Sequence, residues 1–322
     1  MNTSDTKTLH TPVMLQRCLE LLTTEQAERG AIIVDATLGL GGHAQHILER
    51  FKRSTVIGLD RDPAALTRAS ERLASYKNRF FGVYAVYDEL PEVLEQIRER
   101  EGITLPFAGV LFDLGVSSMQ LDFAARGFSY AQNAPLDMRM DQSRGKTAAQ
   151  LLAQLSGGEL ATLFRRYSDE PLAMRYAAAI VSAREEGAIT ESAQLVEILQ
   201  RATPMKLKQQ RHPAKRVFQA LRVAVNDELT VLERAIPSAM NSLAVGGRVV
   251  VMSYQSQEDR IVKKEFAQRV RDNTPPGLPQ QLPEHAPEYR LLTRGAEQAG
   301  AQEQETNPRS KPVKLRAAEK VR

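Results

Sequence analysis

Three aspartates, a glycine-rich turn and one histidine occur at spacings that suit a bound nucleoside. Asp35-Ala-Thr-Leu-Gly-Leu-Gly-Gly-His43 follows an apolar run, Ala31-Ile-Ile-Val34, and leads into a helical pattern of Ala44, Ile47, Leu48 and Phe51. Glycine lets a backbone pass close beneath a ligand, and a helix N-terminus offers that ligand free N–H groups. A second apolar run ends at Asp60. A carboxylate at the tip of the second strand of such a unit suits the two hydroxyls of a ribose. The glycine pattern is G-x-G-G, not the dinucleotide G-x-G-x-x-G, and no P-loop Gly-Lys-Ser/Thr occurs. This favours S-adenosylmethionine, whose amino-acid end carries no phosphate. Counting the glycines alone, a tight structural turn is the competing reading.

The third aspartate opens Asp113-Leu-Gly-Val-Ser-Ser-Met-Gln120, directly after another apolar run. This place could serve methylation of an exocyclic base amine. Such an amine is a weak nucleophile because its lone pair is delocalised into the ring. It needs a hydrogen-bond acceptor for its N–H and tight alignment with a methyl sulfonium, and proximity supplies most of the acceleration. Asp113 is a candidate for that acceptor, for a cofactor contact, or for a plain turn cap. A different chemistry is suggested by Arg201, Lys206, Lys208, Arg211, Lys215, Arg216 and Arg222, a run with no acidic residue between Arg201 and Arg222. Phosphate neutralisation is its natural use, and a solvated basic helix end is the alternative. Arg126, Arg139 and Arg144 point weakly the same way.

These residues need elements to place them. Strands are expected at Ile32–Ala36, Thr55–Asp60, Phe80–Tyr84 and Gly109–Asp113. Helices are expected at Pro12–Leu22, Gly42–Phe51, Pro63–Tyr76 and Leu90–Arg100. The alternation predicts an open parallel sheet covered on both faces, with ligands at the carboxyl ends of its strands. Asp35, Asp60, Tyr87 and Asp113 all fall there and are expected to converge. Leu114 to Asp141 lacks a period, and a loop so long is usually functional. Four short helical patterns follow, then one long helix from Ala214 to about Leu243, a strand Arg248–Ser253 and a helix from Glu258 to Asp272. Ala296 to Pro308 is polar and expected to be mobile. Val313–Ala317 is a candidate last strand. The organisation expected is a methyltransferase domain from 1–140 and 213–322, interrupted by a small helical substrate-recognition domain at 141–212.

Composition narrows the class. The chain has 322 residues, 42% hydrophobic, enough for a substantial core. A net charge of +4 permits a polyanionic partner without requiring one. The single cysteine, Cys18, excludes an internal disulfide and sits in an amphipathic pattern, as a core thiol would. Five histidines show no metal-ligand spacing, so no metal site is expected. No run of about 18 apolar residues suggests a membrane span, and the polar Met1–Leu9 lacks a signal-peptide core. A cytoplasmic protein is expected.

The ordered blocks HTPV at His10–Val13, DATLGLGGH at Asp35–His43, GLDRDP at Gly58–Pro63, FDLGVSSMQLD at Phe112–Asp122 and HPAKRVFQALRVAVNDEL at His212–Leu229 carry a resemblance. So do RGFSY and PLDMRMD between Arg126 and Asp141, and NPRSKPVKLRAAEK from Asn307. The chain resembles the MraW family of bacterial ribosomal RNA small subunit methyltransferases from His10 to about Ala318. The resemblance implies a class I S-adenosylmethionine-dependent fold, α/β and Rossmann-like, with an inserted helical domain. It implies methylation of the N4 amine of one cytidine in the decoding region of 16S rRNA. Gly41, Gly42 and His43 would contact the cofactor, Asp60 would hold its ribose, and Tyr87 would flank the adenine. Asp113 and Gln120 would complete the pocket. RNA would lie on Lys206, Lys208, Arg211, Lys215 and Arg216, and the small ribosomal subunit would be the partner, with a homodimer one assembly open to the chain. Two positions depart from the family. Tyr87 stands where Phe is usual, which keeps a stacking face. Gln255 stands where SFHSLEDR or SYHSLEDR has its histidine, so a histidine there cannot take the amine proton; water or Asp113 suffices. A small-molecule methyltransferase, a non-catalytic rRNA-binding assembly factor and a nicotinamide dehydrogenase are the competing readings.

Overall fold

A computed structural model describes residues 12–117, 120, 123–209, 212–275 and 285–322. The chain divides into two compact units, one formed by Met1–Gly115 with Val231–Arg322 and the other by Val116–Thr230.

The first unit is built on seven strands: β1 (Ile32–Asp35), β2 (Thr55–Asp60), β3 (Phe80–Tyr84), β4 (Phe107–Asp113), β5 (Arg248–Ser253), β6 (Tyr289–Leu291) and β7 (Lys314–Lys320). Their order is β3-β2-β1-β4-β5-β7-β6. The first five are parallel, and β7 runs antiparallel to both neighbours. The order reverses between β1 and β4, where Asp35 stands beside Leu111 in register. Ligands of open parallel sheets bind outside the carboxyl ends of the strands at such a reversal.

The apolar strand runs follow from cover on both faces. Ile32, Val34, Ile57, Leu59, Val110 and Phe112 pack into one core, while Ile33, Val56, Leu111, Val250 and Met252 pack into the other. Successive side chains alternate faces, so a strand covered twice reads as continuously apolar. Each such side chain contributes roughly 1.5–3 kcal/mol on burial, so no polar residue is affordable until the strand ends. That is where the aspartates sit. Cys18 lies in the second core with its Sγ 3.7 Å from Met252 Sδ, as a core thiol would.

The second unit is helical, with helices Ala148–Gln154, Gly157–Ser168, Ala173–Glu186, Ser192–Ala202, Met205–Lys208 and Ala214–Asn226. Thr147 and Ser156 start the first two through reciprocal bonds with Gln150 and Glu159. The core joins Leu160, Phe164, Tyr176, Leu199, Val217 and Leu221 to Phe128, Leu136, Met138 and Met140. The unit is therefore wider than the expected 141–212. Apolar side chains of the preceding loop and of Ala214–Asn226 belong to this core.

Two further expectations change. The single helix from Ala214 to Leu243 is two, Ala214–Asn226 and Glu228–Ser242, with Asp227 between them in left-handed backbone (φ 50°). Asn226 is buried at the break, accepting Met140 N–H and donating to Met138 O and Arg222 O. The polar stretch 296–308, expected to be mobile, contains a helix, Ala301–Thr306, and is tied down by ions and backbone. Glu297 receives Arg17 at 2.7 and 2.9 Å, and Glu303 accepts Met14 N–H at 2.7 Å. Among the described residues no helix is long and apolar enough to cross a membrane.

Candidate active site

Beyond β1 the chain turns through Thr37, Leu38 and Gly39 before the helix Gly42–Arg50 begins. Asp35 is 1% exposed, accepts Thr37 N–H at 3.3 Å, and is pushed up to about 6 by burial. Gly41 caps the helix in left-handed backbone (φ 75°), a conformation side chains resist. Gly42 has no room for more: a Cβ there would lie 2.8 Å from Pro12 Cγ.

The turn is locked to β2 through Asp60. Its Oδ2 accepts Gly39 N–H and its Oδ1 accepts Asp62 N–H, each at 2.8 Å. Burial, more than offsetting these two donors, pushes the Asp60 carboxyl up to about 7. Asp62 caps the next helix by accepting Ala64 N–H, with Pro63 in the first turn where a missing N–H costs nothing.

Asp113, at the end of β4, closes the other side of the reversal. Its backbone N–H donates to Thr37 Oγ1 at 2.7 Å, and its carboxylate Oδ1 accepts the Tyr254 hydroxyl at 2.7 Å. The remaining oxygen, Oδ2, lies 3.6 Å from His43 Nε2, too far for a hydrogen bond. His43 is buried, and its Nε2 has no hydrogen-bond partner among the described residues. Tyr87 follows β3 and sets its ring edge-on to Phe112 at 5.8 Å.

Asp35, Asp60 and Asp113 lie at the strand ends and are tied to the turn through Thr37 and Gly39; His43 from the following helix stands beside Asp113, and Tyr87, the fourth residue expected there, packs on Phe112. Tyr254 is a member the sequence reading missed, although its signal was present. It lies one residue beyond β5, the strand that pairs with β4 with Met252 opposite Asp113. Burial and then the neighbouring Asp113 carboxylate push the Tyr254 hydroxyl well above its usual range. The residues after Tyr254 are structural. Glu258 accepts the N–H groups of Tyr254 and Gln255 at 2.8 and 3.1 Å, starting the helix Ser256–Arg269. Burial opposes ionisation of Asp259, yet Arg316 at 2.7 Å and Lys314 at 3.3 Å hold it below the usual carboxylate range.

The remaining candidates lie in the helical unit. Gln120 is 4% exposed and exchanges bonds with Ser117, accepting Ser117 N–H at 3.1 Å and donating its own N–H to Ser117 Oγ at 3.3 Å. Lys206, Lys208 and Lys215 are exposed. Arg216 is half-buried and donates to Asp169 O at 2.7 Å. Arg211 lies outside the described residues. The positive run is thinner than its sequence suggests. Arg201 pairs with Glu197, and Arg222 pairs through two 2.8 Å bonds with Glu228, acids just outside the run. The loop arginines are also engaged: Arg126 with Arg139 O and Met140 O, Arg139 with Asp137, Arg144 with Asp141.

An S-adenosylmethionine molecule fits these residues. Asp60 presents a carboxylate fixed by two backbone donors, and His43 Nε2 is a buried polar atom with no hydrogen-bond partner among the described residues.

The chain has relatives among known proteins. The model of the MraW methylase family matches residues 7–321. The chain is 57% identical over 314 residues to Ribosomal RNA small subunit methyltransferase H of Leifsonia xyli subsp. xyli, covering 98% of this chain and 95% of that one. It is 54% identical to the protein of the same name from Clavibacter sepedonicus, covering 98% and 97%. A solved rRNA methylase from Streptococcus thermophilus aligns over 96% of this chain and 94% of its own, with 14% identity and a TM-score of 0.40. The chain belongs to the MraW methylase family, and it is a methyltransferase of class I fold whose cofactor is S-adenosylmethionine.

Proposed function

We propose that the protein methylates the N4 amine of one cytidine in the decoding region of 16S rRNA, acting on the small ribosomal subunit in the cytoplasm. The names of its relatives support the RNA, and one observation supports the chemistry. The Asp113 carboxylate ends β4 at the strand reversal, anchored through one oxygen while the other has no hydrogen-bond donor among the described residues.

When bound, S-adenosylmethionine supplies a methyl group made electrophilic by its sulfonium. Asp60 would accept the ribose hydroxyls, Gly41, Gly42 and His43 would line the amino-acid end, and Tyr87 would flank the adenine. A base amine must leave the helical stack to reach such a site. Asp113 Oδ2 accepts a hydrogen bond from N4–H, which orients the amine and returns electron density to nitrogen. After transfer the same oxygen takes the proton that the methylated amine releases. Gln255 has no part in this step. Lys206, Lys208, Arg211 and Lys215 neutralise RNA phosphates, with Arg216 beside them.

The test is to map methylated cytidines in 16S rRNA from cells lacking this protein, and to add purified protein with labelled S-adenosylmethionine to their small subunits. Loss of one N4-methyl group, restored in vitro at the same cytidine, is expected. An unchanged methylation map, or label on another atom, would overturn the reading.

A further inference from the structure

We infer that Tyr254 is a positioning residue for methyl transfer: its hydroxyl holds Asp113 Oδ1, so that Oδ2 alone is presented to the amine. The inference deepens the reading of Asp113 given above and rests on it.

The geometry is specific. Tyr254 O–H donates to Oδ1 at 2.7 Å, and Asp113 N–H donates to Thr37 Oγ1 at 2.7 Å, so the residue is fixed at its backbone and at one oxygen. A carboxylate free to rotate would offer either oxygen in many directions. One tethered through Oδ1 offers the other in a single direction, and most of the advantage of an acceptor lies in its alignment. Tyr254 is itself fixed from behind, its N–H donating to the buried Glu258 at 2.8 Å.

Asp35 from β1, His43 from the helix Gly42–Arg50, Cys18 from the helix Leu15–Leu22 and Glu258 from the helix Ser256–Arg269 are the ionisable groups that act on this pair, with Glu303 and Arg17 acting in turn on Cys18. His43 stands beside the carboxylate, and its 3.6 Å gap to Oδ2 leaves it unbonded. Tyr254 is therefore the only side chain among the described residues that donates a hydrogen bond to the Asp113 carboxylate.

The test is Tyr254→Phe, which keeps the ring and removes the donor. Phe keeps the ring and its packing, so the variant is expected to fold. Single-turnover methyl transfer at saturating S-adenosylmethionine is measured for Tyr254→Phe, Asp113→Ala and the double variant, with cofactor affinity measured by calorimetry. Tyr254→Phe is expected to lower the rate by about tenfold while cofactor affinity changes less than about threefold, and to cost nothing further in the Asp113→Ala background, where the hydroxyl has no carboxylate to hold. An unchanged rate, a loss matched by a fall in cofactor affinity, or an equal loss in both backgrounds would overturn the inference. If Asp113→Ala alone retains the wild-type rate at saturating cofactor, the reading of Asp113 itself fails. If Asp113→Ala is slow while Tyr254→Phe keeps the wild-type rate, only the role of Tyr254 fails.

Discussion

If Asp60 holds the cofactor ribose as proposed, cofactor affinity depends on pH. The carboxyl sits at about 7 in the free protein, raised chiefly by burial. Ribose hydroxyls donate, so they favour the ionised form, and affinity is fully present above that value and lost as pH falls through it. With a single titrating group near 7, about one molecule in eleven is ionised at pH 6, and affinity falls roughly tenfold there and roughly a hundredfold at pH 5. Asp60→Asn tests the cause. A carboxamide cannot accept both the Gly39 and the Asp62 N–H through its two heavy atoms, because one of them is now a donor. It also loses the charge assistance, worth roughly 1.5–3 kcal/mol for each hydroxyl bond. At pH 8 the variant is expected to bind at least about tenfold more weakly. Below pH 7 its affinity should no longer fall with the wild-type slope. Calorimetric titration of S-adenosylmethionine into both proteins from pH 5.5 to 8.5 gives the two curves. Parallel slopes in wild type and variant would refute the assignment, because the pH dependence would then belong to another group.

Other expectations follow from the same geometry. Asp113→Ala should lower the single-turnover rate at saturating cofactor by about a hundredfold or more, the scale of one positioned acid–base group; rescue by excess cofactor would confine Asp113 to binding. Changing Lys206, Lys208, Arg211 and Lys215 to Glu should abolish RNA methylation while calorimetry finds cofactor affinity nearly intact, and wild-type turnover would reject the RNA contact. Asn226→Ala strips the side-chain partner from Met138 O and Met140 N–H, at about 1–3 kcal/mol for each buried group left unpaired. Its thermal midpoint should drop by several degrees, and an unchanged midpoint would show that the break at Asp227 is held by something else.

Much of the site was legible because buried parallel strands announce their own ends. Ile32–Val34 and Val56–Leu59 leave no polar residue until Asp35 and Asp60, so the carboxylates mark where the sheet stops and the ligand edge begins. Tyr254 obeys the same rule but was passed over, since one phenol after a strand carries no chemistry until its neighbour is known. That neighbour is 141 residues away in sequence. The break at Asp227 was hidden for a different reason. Phe218, Leu221, Val225, Leu229 and Leu232 keep helical spacing straight through it, and only the buried Asn226 side chain, bonded to a distant loop, shows why the chain turns. The basic run misled by composition: Glu197 and Glu228 lie just outside it in sequence yet neutralise its two ends.

The helical unit also sets the order in which the Asp113–Tyr254 pair can form. The chain leaves the sheet after Gly115 and rejoins it at Val231, so β4 and β5 are neighbours in space and distant along the chain. Joining them directly from the unfolded state closes a very long loop, and each doubling of loop length costs about 0.6 kcal/mol. The insert has its own core of Leu160, Phe164, Tyr176 and Leu221, and folding it first turns most of that loop into one ordered body. The Asp113–Tyr254 contact then becomes a late event that depends on the insert being folded. Damage to the insert's core should therefore slow the appearance of active enzyme during refolding, even where no residue of the site has changed.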